Sequence, residues 1–147
     1  PMTSSSSQTQ NSRPLVGVGV LFVRDDRVFL AKRQGSHGEA LWGFAGGHLE
    51  FGETLEECAQ REALEEMGVA VTGLRFLCIS NVIAYNRHYV DVEFAGNIGD
   101  QEPFIAEKKA FSESGWFALD DLPQPLFRPA EIALNSLRTG QQYFPAG

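Results

Sequence analysis

Positive charge is scarce in this chain. Lysine and arginine number 12 against 19 aspartates and glutamates, which leaves a net charge of −7 at pH 7. A general nucleic-acid binder, or a protein docking on anionic lipid, needs a basic face, so both classes are disfavoured. A small phosphorylated substrate stays open if a metal ion supplies the positive charge. Long apolar runs are also missing. None approaches the roughly 20 residues of a membrane span, and the polar first residues hold no apolar segment of a secretory signal. Cysteine is limited to Cys58 and Cys78. Neither has metal-ligand spacing, and free buried thiols in a reducing cytosol are the expectation rather than a disulfide. The expected location is therefore cytoplasmic. Repeats are absent as well, and 147 residues imply one domain with a proper core.

Against this background the stretch Gly46 to Val69, GGHLEFGETLEECAQREALEEMGV, stands out. Thr54 and Glu57 form a capping box, in which each side chain satisfies a free backbone N–H at a helix start. No proline or glycine follows until Gly68, which suits the left-handed residue that closes a helix. The spacing predicts a helix from about Thr54 to Met67. Its charges run against the helix dipole. Glu62, Glu65 and Glu66 fall in the last two turns, where cations are favoured. Glu62 and Glu66 share a face with Leu55 and Ala59, which should meet the core or a cleft. Carboxylates there repel one another and resist desolvation. A bound hard cation such as Mg²⁺ answers both problems. The plain alternative is an acidic solvated face, with Arg61 paired to Glu57 and Glu65.

The rest of the chain reads as a mixed α/β domain. Residues 1–13 (PMTSSSSQTQNSR) read as a disordered tail, with Pro1 before Met2 a remnant of cloning. Leu15 to Val23 has the length of a buried strand, and it turns at Asp25-Asp26 into a second strand, Arg27 to Lys32. Gln34 to Glu39 is a glycine-containing loop. Val69 to Ala84 is strand-rich, with a turn expected at Thr72-Gly73. His88 to Phe94 alternates, placing Val90, Val92 and Phe94 on one face and Tyr89, Asp91 and Glu93 on the other. Gly115 to Ala118 is a short strand, and Ala130 to Arg138 reads as a second helix before Gly140.

The residues Gly47, Glu53, Arg61, Glu62, Ala63, Glu65, Glu66, Gly68 and Val69 match the pattern G-x5-E-x7-R-E-U-x-E-E-x-G-U, U being apolar. The chain thereby resembles the Nudix hydrolases. From about Leu15 to Pro145 it is similar to their small MutT-like group, which includes plant cytosolic and mammalian nucleotide-hydrolysing members. GVGV at Gly17–Val20, LAKRQGS at Leu30–Ser36, HYV at His88–Val90 and DLPQPLF at Asp121–Phe127 carry the likeness beyond the box. One departure is Ala45, where the family usually has proline.

The resemblance implies a Nudix α/β/α sandwich over residues 14–147, with a mixed β-sheet between helices. It implies hydrolysis of a nucleoside diphosphate linked to X, with Mg²⁺ or Mn²⁺, by a homodimer. The leading expectation is a nucleoside triphosphate, oxidised or non-standard ones included, cut to monophosphate and pyrophosphate. The alternatives are prenyl diphosphates, ADP-ribose and dinucleoside polyphosphates, or a non-catalytic nucleotide-binding regulator. By the same resemblance Glu62, Glu66 and the Gly46 carbonyl hold metal. Glu65 is a further ligand or orients water, and Arg61 braces Glu53 and Glu65. The proton acceptor is open among Glu53, Glu65, Glu107 and Glu113. His48, Lys32 and Arg33 are candidates for phosphate and Phe44 for stacking on a base. Trp116, Phe117 and Phe127 are expected mainly in the core, and His37 carries no signal. X should sit in an apolar pocket made by Leu15–Val23, the loop Ser36–Leu41 and Phe44. Such a pocket separates similar bases weakly. The apolar Leu15–Val23 segment also offers a self-complementary dimer surface.

Overall fold

A computed structural model describes residues 12–146. The elements are β1 (Leu15–Arg24), β2 (Arg27–Arg33), β3 (Trp42–Gly43), β4 (Ala45–His48), α1 (Leu55–Met67), β5 (Thr72–Ala84), β6 (Arg87–Asn97), β7 (Phe111–Ala118), α2 (Arg128–Thr139) and β8 (Tyr143–Phe144). The expected tail at residues 1–13 lies outside the described residues except for Ser12 and Arg13.

The strand order is β3-β2-β1-β6-β5-β8, with β4 also on β1 and β7 on β2. β1 runs parallel to β6 and antiparallel to β4. The sheet is therefore mixed, as expected, and each face carries one helix. Cys58, Ala59, Ala63 and Met67 of α1 pack with Val18, Val20, Phe22, Val92 and Phe94 on one face. Ala130, Ile132, Ala133 and Leu134 of α2 pack with Leu21, Cys78 and Ala95 on the other. The alternation of β1 and β6 thus sends successive side chains to two different cores.

Helix α1 forms as the sequence dictates. The Thr54 hydroxyl accepts from the Glu57 N–H at 3.0 Å and the Glu57 carboxylate from the Thr54 N–H at 2.9 Å. Gly68 closes the helix at φ 66°, a left-handed conformation that glycine adopts without strain. Helix α2 starts at Arg128, two residues earlier than expected, because Pro129 fits the first turn, where its missing N–H costs nothing.

Four expectations need correction. The Thr72-Gly73 turn is instead a bulge inside β5, where Gly73 takes φ 57° and the pairing shifts between Thr72 and Arg75. β7 begins at Phe111 because its whole length pairs with β2, including its exposed polar start. β8 was not foreseen, since two residues give no periodicity to read. Finally, β1 cannot supply a dimer surface. Residues 17–22 are buried between the two helices, and Leu15 and Val16 alone are its exposed apolar residues.

Candidate active site

Two adjoining clefts meet at β4. The first is acidic. Pairing of β4 with β1 brings Gly46, Gly47 and His48 beside the last turns of α1. Glu50, Glu62, Glu65, Glu66 and Glu107 line the cleft with one basic residue, Arg61. Gly47 is needed there, because a Cβ at this position would run into the Glu62 carboxylate.

Arg61 is the brace. Its Nε and Nη2 donate to the two Glu53 oxygens at 2.6 and 3.0 Å. Its Nη1 reaches Glu62 at 3.0 Å and Glu65 at 3.2 Å, and Nη2 also donates to the His48 carbonyl at 3.1 Å. The expected pairing with Glu53 and Glu65 is present. Glu57 is instead occupied in the capping box. This forked, charge-assisted pair holds the Glu53 carboxyl down at about 2, helped by the Glu50 N–H. Glu66 goes the other way. Burial pushes it up to about 8, the Gly46 N–H at 2.9 Å partly offsets this, and the Glu62 and Glu107 charges add to the rise. Burial also raises Glu62, against the pull of Arg61.

Among the described residues no three histidine, cysteine or acidic side chains converge on one point as a ready metal site. The donor set nevertheless fits a hard divalent cation. All its side-chain donors are carboxylate oxygens, the buried ones are held above their usual range by desolvation and mutual repulsion, and the cleft is open.

The second cleft is a cavity of about 110 Å³ on the α2 side of β1 and β6. It shares Gly46, Gly47 and His48 with the acidic cleft. Aromatic rings form its walls. Tyr85 stacks on Phe127 at 5.3 Å between centroids, and His37 stacks on Tyr89 at 5.8 Å. The Arg33 guanidinium lies 4.0 Å over the Phe127 ring and donates to the His37 carbonyl at 3.0 Å, which fixes the loop 36–38. His48 Nε2 and the Tyr89 hydroxyl are 2.8 Å apart, a bridge between the clefts. Burial, with Arg33, Arg87 and His48 nearby, pushes His37 down to about 4, so the ring is neutral near pH 7. Gly17, Gly19, Asp91 and Glu93 also line this cavity.

Most of the residues singled out in the sequence fall in these clefts. Gly46, Glu62, Glu65, Glu66, Arg61 and His48 line the acidic one, with Glu53 immediately behind Arg61. Arg33 and Phe44 line the aromatic one, as do Gly17, Val18 and His37 from the two segments expected to form a pocket. Lys32 lines neither. It sits in the β2–β7 ladder 3.6 Å from Glu113, and that pair takes Glu113 out of the acidic cleft as well. Phe127 is buried yet forms pocket wall, so it is more than core. The residues missed are Asp91, Glu93, Tyr85 and Tyr89; His37 lies in the expected loop, although its ring was given no role. One signal was available for the first two. Glycines alternating inside an apolar strand, Gly17 and Gly19, mark a close approach by a neighbour.

Residues 13–136 match the NUDIX domain, so this chain belongs to the Nudix hydrolases, whose members act on diphosphate-linked substrates. The structure of a MutT Nudix hydrolase from Burkholderia pseudomallei is 37% identical and superposes with a TM-score of 0.81, covering 86% of this chain and 99% of that one. The Nudix domain of Shewanella oneidensis NrtR, solved with ADP-ribose, shares the fold at 21% identity and a TM-score of 0.74, covering 93% and 96% of the two chains. Among curated proteins, the NAD-capped RNA hydrolase NudC of Chromobacterium violaceum is 32% identical over 81% of this chain and 43% of its own length. NudC of Vibrio cholerae is 29% identical over 71% and 38%. The chain thus spans about two fifths of the curated relatives it matches. No helix among the described residues is long and apolar enough to cross a membrane.

Proposed function

We propose that this domain hydrolyses a nucleoside diphosphate linked to X, with Mg²⁺ or, in its place, Mn²⁺. The leading substrate is a nucleoside triphosphate, standard or oxidised, cut to the monophosphate and pyrophosphate. The observation that carries this reading is the junction of the two clefts. An acidic cleft suited to a metal and an aromatic cavity suited to a flat ring share Gly46, Gly47 and His48. A diphosphate crossing that junction would have its charged end at the carboxylates and its base among the rings.

The roles follow from the contacts. Glu62, Glu66 and the Gly46 carbonyl would hold the ion, with Glu65 as a further ligand or the group orienting water. A bound ion offsets the diphosphate charge and lowers the pKa of an attacking water. Arg61 keeps the carboxylates in place. Glu53 is a poor proton acceptor near neutral pH, because Arg61 engages both its oxygens and holds it at about 2. That leaves Glu65 and Glu107, both in the cleft, as acceptors. His48, which contacts the Tyr89 hydroxyl and lines both clefts, would meet the phosphates. Arg33 contributes by shaping the aromatic wall. A homodimer in a reducing cytoplasm belongs to the same reading; the two cysteines are free and buried, and a monomer mass by light scattering at micromolar concentration would remove the dimer.

A second reading has ADP-ribose or a dinucleotide as substrate, as the ligand of the NrtR domain and the NudC relatives suggest. The aromatic cavity is a place for one base in either reading, so the products separate the two. The test is a panel of nucleoside triphosphates, ADP-ribose, NADH, a dinucleoside polyphosphate and a prenyl diphosphate, with Mg²⁺ and detection of released phosphates. Triphosphates should lead, with pyrophosphate as product. Fastest turnover of ADP-ribose or a prenyl diphosphate would replace this reading, and binding without turnover of anything would make the domain a regulator.

A further inference from the structure

The aromatic cavity has an acidic floor. In the parallel pairing of β1 with β6, Gly17 stands beside Asp91 and Gly19 beside Glu93. The glycines give up their side-chain volume to the carboxyl groups. A Cβ on Gly17 would strike the Asp91 carboxylate, and one on Gly19 would meet Glu93 Oε1 and the Phe44 ring. Across β6, Ser80 of β5 pairs with Asp91. Two buried atoms here have no hydrogen-bond partner among the described residues, Glu93 Oε2 in the floor and Ser80 Oγ on the neighbouring strand. Glu93 is 1% exposed and yet lines the cavity. An orphaned carboxylate oxygen at that depth is costly, and a ligand N–H would satisfy it.

We propose that Asp91 and Glu93 read the base, and that they select a 2-amino-6-oxopurine. This rests on the nucleotide reading above. Burial raises Asp91 to about 6, and it raises Glu93 well above its usual value with the Asp91 charge adding to the effect. The unpartnered Glu93 oxygen and the Asp91 carboxyl two residues along the same strand face offer neighbouring acceptors on the cavity floor. The complementary edge is two adjacent N–H donors. A guanine-type base has that edge in N1–H and N2–H. Adenine and cytosine offer one donor group beside an acceptor, and uracil offers a single N–H between two carbonyls. A site built to hydrogen-bond such groups rejects analogues lacking them far more strongly than an apolar pocket does.

The test compares wild type with Glu93→Gln and Asp91→Asn. kcat/KM is measured for GTP, ITP, ATP and UTP; ITP differs from GTP solely in lacking the 2-amino group. In parallel, calorimetry measures binding of GMP, IMP and AMP to metal-free protein, and thermal melts confirm folding. Wild type should prefer GTP to ITP by at least about tenfold, as expected for one hydrogen bond to a charged group, and GMP should bind tightest. Each variant should narrow the GTP-to-ITP and GMP-to-IMP ratios severalfold or more, and Asp91→Asn serves if Glu93→Gln does not fold. Wild-type turnover of all four nucleotides within threefold, or variants that leave the ratios where they were, would overturn the proposal while leaving nucleotide hydrolysis standing. Selective GMP binding without turnover of any nucleotide would overturn the hydrolytic reading and uphold the base assignment.

Discussion

The molecule carries two sets of carboxylates, and they are built on opposite principles. On α1, Glu62, Glu65 and Glu66 are gathered by helical spacing; Arg61 braces Glu62 and Glu65 and also holds Glu53, while the Gly46 N–H holds Glu66. On β6, Asp91 and Glu93 are two residues apart on one face of a strand, with glycines opposite and no ion pair of theirs among the described residues. The first set opens onto solvent, and in the proposed reading it takes a cation. The second lies under aromatic rings and has the chemistry of a hydrogen-bonding floor. Similar side chains meet different surroundings, because one set has a counter-charge and an open cleft and the other has neither.

The sharpest way to separate the two sets is by which measured quantity each controls. Glu66→Gln and Glu62→Gln should each lower kcat by about 10²-fold or more on every substrate, since a positioned metal supplies several kcal/mol of charge stabilisation. Both proteins should remain folded, and a chelator should abolish wild-type activity to the same degree. Full activity of Glu66→Gln in chelator-treated buffer would remove the α1 set from the chemistry.

Next in size are the glycines that make room for each set. Gly47→Ala and Gly19→Ala each add a Cβ into a filled space, so each should cost about 1–3 kcal/mol of stability in denaturant titrations. Their kinetic effects should differ. Gly47→Ala displaces Glu62 and should depress turnover on all nucleotides, whereas Gly19→Ala displaces Glu93 and Phe44 and should raise KM for the preferred base most. Identical kinetic profiles for the two would dissolve the distinction. At the junction, His48→Ala should lower turnover by about tenfold and to the same degree for all bases, as loss of one hydrogen bond to the shared phosphates predicts. A change in the ranking of bases would move His48 to the base-reading set.

The smallest effect is on stability against pH. In metal-free protein Glu66 lies at about 8 and Asp91 at about 6, above the roughly 4 of unfolded carboxylates. Between those values the folded state binds protons that the unfolded chain has released, so their share of the stability falls as pH rises from about 5 to about 8. Two groups act in the opposite sense. The contribution of Glu53, held at about 2, is complete above about pH 5, whereas His37, held at about 4, offsets the Asp91 share up to about pH 6.5. Thermal melts should therefore show their decline, a few degrees, mainly from about pH 6.5 to 8, where Glu66 titrates. Saturating Mg²⁺ should flatten that decline, and Asp91→Asn should alter the profile only below it. A metal-free Tm that rises from about pH 6.5 to 8 would contradict the Glu66 assignment.

How far each set was legible in the sequence follows from its geometry. The α1 set repeats at helical spacing within one element, beside a glycine pair and a capping box, so the sequence records it locally. The helix ends, the β1–β2 hairpin and the mixed sheet between two helices were readable for the same reason. Asp91 and Glu93 alternate with Val90, Val92 and Phe94 as the polar face of an ordinary strand would. Their burial depends on β6 lying parallel to β1 with Gly17 and Gly19 alongside, a pairing between segments some 74 residues apart in the chain. The aromatic walls join the loop at His37, the β5–β6 turn at Tyr85 and the start of α2 at Phe127, which no local pattern connects. The segments expected to form an apolar pocket do line the aromatic cavity, but its floor is acidic. Lys32 stands outside both clefts because its position in a strand sets it beside Glu113 on β7.

The alternating glycines of β1 have a consequence for descent. They lie outside the G-x5-E to G-U segment that carries Glu62, Glu65 and Glu66. A lineage that gained side chains at positions 17 and 19 would refill the recess and displace both acids, exchanging one nucleotide for another without altering a single residue of the hydrolytic apparatus. Preference and chemistry can then drift at separate rates within one fold of this size, and a signature that marks the reaction so plainly will stay silent on the molecule being broken.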